Sequence, residues 1–314
     1  MTMVSMRNLL EAQAALKGVA IQTPLLPLKY HEGGDVWLKC ENLQRAGAFK
    51  LRGAYNRIRA LSPAQKSKGV VAHSSGNHAQ GVALASKLLG VRATIVTLNQ
   101  AIPTKVEGTR RFGAEVIFGG EASEEIRLEA IRLAEENDWT LVPPFNDPFI
   151  IAGQGTVGLE IIDVQPETRA VVVPIGGGGL CAGICLALKE TNPDIKVIGV
   201  EPEKSCAMSK SLEAGELVRV EPSDTIADGL KPVQVGDLTF DIVRKYIDEI
   251  VTVSDEEILE ATRHLILREK LVVEPSGAAT VAAIMQGKLP KIEGGPTVAI
   301  LSGGNVELSR VLPQ

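Results

Sequence analysis

Lys50 is the residue whose type and setting most invite chemistry. It stands in the stretch Glu-Asn-Leu-Gln-Arg-Ala-Gly-Ala-Phe-Lys-Leu-Arg-Gly, residues 41–53. An extended apolar run, 36–40, comes before it and a helical start, 54–58, follows. A lysine at a strand-to-helix junction, beside Phe49 and near Gly47 and Gly53, sits in partly apolar surroundings. Desolvation there favours the neutral amine, which forms Schiff bases. Taken alone, a lysine is usually a solvated surface residue, so the other polar stretches have to decide. Gly176, Gly177, Gly178 and Gly179 lie between the apolar run 170–174 and a helical pattern beginning near Leu180. Bare backbone N–H groups at a helix N-terminus suit a phosphate. No Gly-Lys-Ser/Thr follows, which excludes a Walker loop, and G-x-G-x-x-G does not fit the usual register. Ser74, Ser75, Gly76, Asn77 and His78 precede another helix and suit a carboxylate, with simple N-capping as the plainer alternative. Ser302, Gly303, Gly304 and Asn305 close the last apolar run.

A phosphate cradle, a carboxylate cradle and an imine-forming lysine combine into one chemistry. A phosphorylated aldehyde held on Lys50 receives an amino acid, and the aldehyde of that kind is pyridoxal 5′-phosphate, an electron sink for carbon acids. Other chemistries lack support. His73 and His78 are five apart with only His31 and His264 besides, so no zinc set forms. No Ser-His-Asp spacing points to a hydrolase.

The elements that must position these residues alternate regularly. Short Val- and Ile-rich runs at 69–72, 93–97, 115–118, 140–142, 170–174, 196–200, 249–253 and 297–301 are separated by helical patterns at 79–89, 105–112, 123–137, 154–163, 180–189, 240–246, 255–268 and 277–285. Such alternation predicts an α/β fold with parallel sheets covered on both faces. All four polar stretches directly follow predicted strands, the ends where open α/β sheets bind ligands, so they are expected to converge on one cleft.

The 314 residues suffice for one large or two medium domains. A net charge of −5 without a basic block argues against nucleic acid. Cys40, Cys181, Cys185 and Cys206 form no C-x-x-C pair and read as free thiols of a reducing compartment. Residues 6–16 are amphipathic and carry Glu11, unlike a signal peptide, and no apolar run reaches membrane-spanning length. A cytoplasmic protein without a membrane partner is expected.

Seven motifs occur in order: residues 41–54, 74–78, Ala-Gly-Gln-Gly-Thr at 152–156, the four glycines, Thr-Ile-Ala-Asp-Gly at 225–229, Glu-Pro-Ser-Gly at 274–277 and 302–305. Together they resemble the threonine/serine dehydratase and serine racemase branch of the fold-type II, tryptophan synthase β-like, pyridoxal-phosphate enzymes. The resemblance implies two open, twisted, mostly parallel sheets flanked by helices. It also implies a large cofactor domain (residues 1–62 and 149–314) and a small inserted domain (63–148). It makes Lys50 the residue that carries the cofactor and takes the α-proton. Phe49 packs against the cofactor ring and Asn77 bonds its phenolic oxygen. Gly176 to Gly179 and the N–H of Leu180 hold the phosphate, and Ser302 faces the pyridine nitrogen. Ser74, Ser75, Gly76, Asn77 and His78 bind the substrate carboxylate, with Ser75 on the face opposite Lys50. A hydroxyl opposite the ring nitrogen makes a weaker electron sink than a carboxylate partner, which suits prompt loss of a β-substituent over transamination.

Three departures from the family pattern bear on function. Ala48 replaces the usual hydroxyl residue before the Phe-Lys pair, which bears on side-chain preference. Glu201 is present, but Ala207 stands where metal-dependent members carry a second acid, so no Mg²⁺ or Ca²⁺ site is expected. The chain ends soon after the last motif, so no regulatory domain is expected. The implied activity is β-elimination from L-threonine or L-serine to a 2-oxo acid and ammonia. The same motifs are compatible with serine racemisation or with 3-hydroxyaspartate or phenylserine elimination. A Rossmann-like nucleotide-binding protein would explain the glycines and leave Lys50 without a role. A homo-oligomer, dimer or tetramer, is expected.

Overall fold

Strands and helices alternate throughout the residues described by the computed structural model, 4–31 and 34–312. The strands are β1 (Leu25–Pro27), β2 (Val36–Cys40), β3 (Val70–His73), β4 (Ala93–Thr97), β5 (Glu115–Phe118), β6 (Thr140–Leu141), β7 (Ala170–Pro174), β8 (Lys196–Pro202), β9 (Glu249–Val253) and β10 (Thr297–Leu301). They build a six-stranded sheet in the order β1-β2-β10-β7-β8-β9 and a four-stranded sheet in the order β5-β4-β3-β6. All described pairings are parallel except β1 with β2. This is the α/β architecture that the alternation predicted.

Period-two patterning explains why both faces of each sheet are covered. Val171 and Val173 of β7 enter one apolar core with helices Pro148–Val164 and Gly179–Thr191, while Val172 enters another with helix Pro275–Met285. The small sheet divides likewise. Val70 and Ala72 of β3 pack on helix Asn77–Leu89, and Val71 packs on Ile126 and Ala130 of helix Ser123–Asn137.

Helix Pro148–Val164 begins six residues before the predicted 154. Its start is built by Asp147, whose carboxylate accepts the N–H groups of Phe149 (2.8 Å) and Ile150 (3.0 Å), with Pro148 in the first position. The Pro143-Pro144 pair reads as a turn in the sequence, and Pro148 just beyond it opens the helix. β1 and the helices Pro63–Lys68 and Ala207–Ala214 are short and escape periodicity. β1 tolerates Pro27 because it lies at the sheet edge.

Helix Lys50–Arg59 lies between the two sheets' helical layers. Leu51, Ala54 and Ile58 share a core with Ala79 and Val82 of helix Asn77–Leu89 and with Ile150. The approach is close enough to require glycine. A Cβ at Gly81 would lie 2.9 Å from the Lys50 carbonyl carbon, and one at Gly153 would lie 2.6 Å from the Arg52 carbonyl oxygen.

Candidate active site

The four polar stretches meet in the crevice between the sheets. Phe49 donates its N–H to the Ser302 carbonyl (3.1 Å), and Ala48 bridges Gly303. Asn305 Nδ2 donates to Asn77 Oδ1 at 2.8 Å, and Asn77 Nδ2 donates to Glu274 Oε1. The segments that follow β2, β3 and β10 are thereby joined. The glycines are reached through the segment 144–145. Lys50 Nζ donates to the Pro144 carbonyl (2.7 Å), and the next residue, Phe145, lies over the glycine loop, where a Cβ at Gly177 would fall 2.2 Å from its ring.

Lys50 is the first residue of its helix and follows Phe49, whose ring centroid is 5.2 Å from Nζ. Burial pushes the amine down from 10.5 to about 8, against the opposing charge of Glu274. Such an amine is partly neutral near physiological pH, as imine formation requires. Beneath it, Arg52 anchors the helix. Arg52 donates to both Glu41 oxygens (2.7 and 2.9 Å), both Glu160 oxygens (2.6 and 2.9 Å), the Thr156 hydroxyl (3.1 Å) and the Ile21 carbonyl (3.1 Å). Lys39 joins Glu160 at 2.6 Å and the Thr23 carbonyl at 2.7 Å. Burial would raise Glu41, but the charge and hydrogen bonds of Arg52, helped by Lys39 and Thr23, hold it below its ordinary value. The buried charges are therefore paired and hydrogen-bonded, as burial demands.

The glycine loop fits a phosphate. Gly178 adopts φ +90°, a left-handed conformation that favours glycine, as N-cap of helix Gly179–Thr191. The N–H groups of Gly176 to Leu180 find no backbone acceptor among the described residues, so a helix N-terminus with free donors faces the crevice. Thr239 fixes the loop from behind by donating to the Gly177 carbonyl at 2.8 Å. Ser302 is buried at the end of β10.

At Ser74 to His78 the roles separate. The Ser74 hydroxyl accepts the Gly76 N–H (3.1 Å), and the Ser75 hydroxyl accepts from Thr97 Oγ1 (3.1 Å) and the Leu98 N–H (3.3 Å). His78 is turned inward, its Nε2 bonded to the Val142 carbonyl (2.9 Å), and burial together with the Lys50 charge pushes it down to about 3. Its imidazole is thus neutral, and Nε2–H is the donor. Lys105 and Asp228, which no motif reading assigned a role, form an ion pair beside this stretch, and a Cβ at Gly76 would lie 3.8 Å from Lys105 Nζ. Both sit in plain helical and loop surroundings, although Asp228 lies inside the 225–229 motif.

Glu201 serves another purpose than cation binding. Its carboxylate accepts the N–H groups of Met208 (2.8 Å) and Ser209 (2.9 Å) and the Ser209 hydroxyl (2.5 Å), which caps helix Ala207–Ala214. Three of the protein's own donors thus use this carboxylate, and Ala207 adds no side-chain oxygen beside it.

The family model for pyridoxal-phosphate dependent enzymes matches residues 16–303. The chain belongs to this family. Its cofactor is pyridoxal 5′-phosphate, and the free donors of the glycine loop and the buried amine of Lys50 are what that group needs. The chain is 46% identical over 312 residues to an L-threonine ammonia-lyase from Thermotoga maritima, covering 98% of this chain and 77% of that one. Among solved structures, a threonine deaminase from T.th. superposes with a TM-score of 0.90 at 41% identity, covering 97% of this chain and 99% of that one. A maize serine racemase superposes with a TM-score of 0.93 at 38% identity, covering 98% and 96%. No described helix is long and apolar enough to cross a membrane.

Proposed function

We propose that the protein is an ammonia-lyase that converts L-threonine, and L-serine as a smaller analogue, to the 2-oxo acid and ammonia. The observation that carries this reading is the desolvated amine of Lys50 at the helix start, bonded to the Pro144 carbonyl, whose neighbour Phe145 packs on the glycine loop with its free N–H groups. The relatives named as threonine ammonia-lyase and threonine deaminase support the substrate.

When bound, pyridoxal phosphate supplies an electron sink that makes the α-proton of the attached amino acid acidic. The protein does the rest. Gly176 to Gly179 and Leu180 would hold the phosphate through backbone N–H groups, Phe49 would pack on the ring, and Ser302 would stand toward its nitrogen. Backbone N–H groups and hydroxyls from Ser74 to Asn77 receive the substrate carboxylate, while His78 contributes through its main chain. The Lys50 amine would take the α-proton and give it back to the β-hydroxyl, which would leave as water. Hydrolysis of the resulting enamine then consumes one water and frees ammonia. Residues 63–148 act as a small domain that closes on residues 1–62 and 149–314 to exclude bulk water. A cytoplasmic homo-oligomer, dimer or tetramer, completes the proposal.

A second reading, racemisation, has one observation in its favour. Both acceptor positions of the Ser75 hydroxyl are filled by Thr97 and Leu98, which leaves its proton to be given. The test is a substrate panel on the purified holoenzyme, with and without chelator, measuring 2-oxo acid against D-amino acid. A yellow protein whose chromophore borohydride fixes on Lys50, with 2-oxo acid as main product from L-threonine, is the expected result. Full turnover by Lys50→Ala would overturn it.

A further inference from the structure

Asn77 is an amide with two ends, and the structure holds both. Its Oδ1 accepts from Asn305 Nδ2 at 2.8 Å, and its Nδ2 donates to Glu274 Oε1. Asn305 is itself oriented, because the same Nδ2 donates to the Ala46 carbonyl at 2.9 Å. An amide flip at Asn77 would set oxygen against the Glu274 carboxyl and nitrogen against the Asn305 amide, losing both bonds. One Asn77 N–H is used by Glu274, and the second has no acceptor among the described residues. The contact depends on bare backbone, since a Cβ at Gly303 would fall 2.4 Å from Glu274 Oε1 and 3.0 Å from Asn77 Nδ2.

We propose that Glu274 and Asn305 are positioning residues that lock the Asn77 amide, so that an N–H, never the oxygen, meets the phenolic oxygen of the cofactor. The proposal rests on the cofactor reading given above and adds two residues to it. Glu274 is built for this duty. It is the N-cap of helix Pro275–Met285, is 1% exposed, and its Oε2 has no partner among the described residues. The charged groups acting on it are Lys50 on helix Lys50–Arg59, Lys105 on helix Pro103–Arg111 and Asp228 in a loop. Burial and the Asp228 charge push it up to about 7, with Lys105, Asn77 and Lys50 opposing. A proton on the unpartnered Oε2 would leave Oε1 to accept from Asn77. The lock therefore does not depend on the charge of Glu274.

An N–H on the phenolic oxygen favours the tautomer of the lysine-bound cofactor whose oxygen is deprotonated, which absorbs at longer wavelength. The spectrum thus reports the orientation of Asn77 independently of turnover. The experiment compares holoenzyme of wild type, Asn305→Asp, Glu274→Ala, Glu274→Gln, Asn77→Ala and the double variant Asn77→Ala/Asn305→Asp. It reads cofactor affinity by titration, the visible spectrum from pH 6 to 9, and folding by thermal unfolding of the cofactor-free proteins.

Asn305→Asp is isosteric but presents oxygen where Asn77 Oδ1 needs a donor. Asn305→Asp and Glu274→Ala are expected to bind the cofactor about tenfold more weakly, the size of one hydrogen bond to a charged group, and to lose long-wavelength absorbance. Glu274→Gln keeps an acceptor and is expected to recover the wild-type spectrum across the pH range. In the Asn77→Ala background Asn305→Asp is expected to add nothing, which a merely destabilising change would not do. A wild-type spectrum and affinity in Asn305→Asp, or an equal further loss in the double variant, would overturn the lock. A wild type that takes up no chromophore would overturn the cofactor reading as well, so the two failures are distinct.

Discussion

An amine attacks an aldehyde only when unprotonated, and Lys50 is set up for this by its surroundings. Burial pushes it down to about 8, while Glu274 keeps it from falling further. The rate at which pyridoxal phosphate attaches to the cofactor-free protein is therefore expected to rise with pH and level off above about 8. Stopped-flow absorbance checks this; a profile rising up to pH 10 would mean an ordinary solvated lysine. The same shift has a stability consequence. The folded pKa lies below the unfolded 10.5, so the cost of the buried ammonium is full below about 8 and fades as pH rises from there to 10.5. Lys50→Met is expected to make the cofactor-free protein more stable at pH 7, by up to about 3 kcal/mol from the shift alone, with the difference gone above pH 10.5. Denaturant melts at the two pH values read it.

The helix that presents Lys50 is held by charge below and by bare backbone on two sides. Arg52 neutralises Glu41, so Arg52→Met leaves that buried carboxylate without its ion-pair partner, while Glu160 keeps Lys39, and is expected to cost about 3–5 kcal/mol. Gly153→Ala drives a methyl group into the Arg52 carbonyl and is expected to cost about 1–3 kcal/mol through overpacking. Because it pushes the first turn of the helix, it should also weaken cofactor attachment, which a melt with and without pyridoxal phosphate separates. These devices mark the limit of what a sequence displays. Strands such as β7, the glycine loop and Lys50 were legible because apolar runs and clustered glycines are local patterns. The partners of Arg52, Glu160 and Asn305 were not, although Arg52 and Asn305 stand in the quoted stretches, because those partners are long-range: Glu160 is 108 residues from Arg52, and Asn77 is 228 from Asn305. Asn146, which accepts from Leu238 N–H at 3.1 Å and donates to Asp237 at 2.7 Å, was hidden in a proline-rich stretch that looked like a plain turn.

Polar contacts tie the two sheets across the crevice, and besides the bonds of Asn77 to Glu274 and Asn305 they include the ion pair of Lys105 with Asp228 beside the carboxylate cradle. Lys105 belongs to helix Pro103–Arg111 beside the four-stranded sheet, and Asp228 opens the 3-10 turn Asp228–Leu230 between helices Ala207–Ala214 and Asp237–Tyr246, on the side of the larger one. The Lys105 side chain is 9% exposed and that of Asp228 39%, so solvent screens the pair and its contribution is on the order of 1 kcal/mol. A tie of that strength biases an opening equilibrium by about fivefold without fixing it. Asp228→Asn is therefore expected to favour the open form. The expected result is a rise of about fivefold in KM with kcat changed little, and faster hydrogen exchange in residues 103–111 of the substrate-free protein. Salt separates this from damage to the fold: KM of the wild type should rise with ionic strength as the pair is screened, and KM of Asp228→Asn should respond less. Equal salt dependence in both proteins, or exchange in 103–111 that the substitution leaves unchanged, would mean that the pair is a passive surface contact and that closure is governed by the apolar packing of Leu51, Ala54 and Ile58 instead.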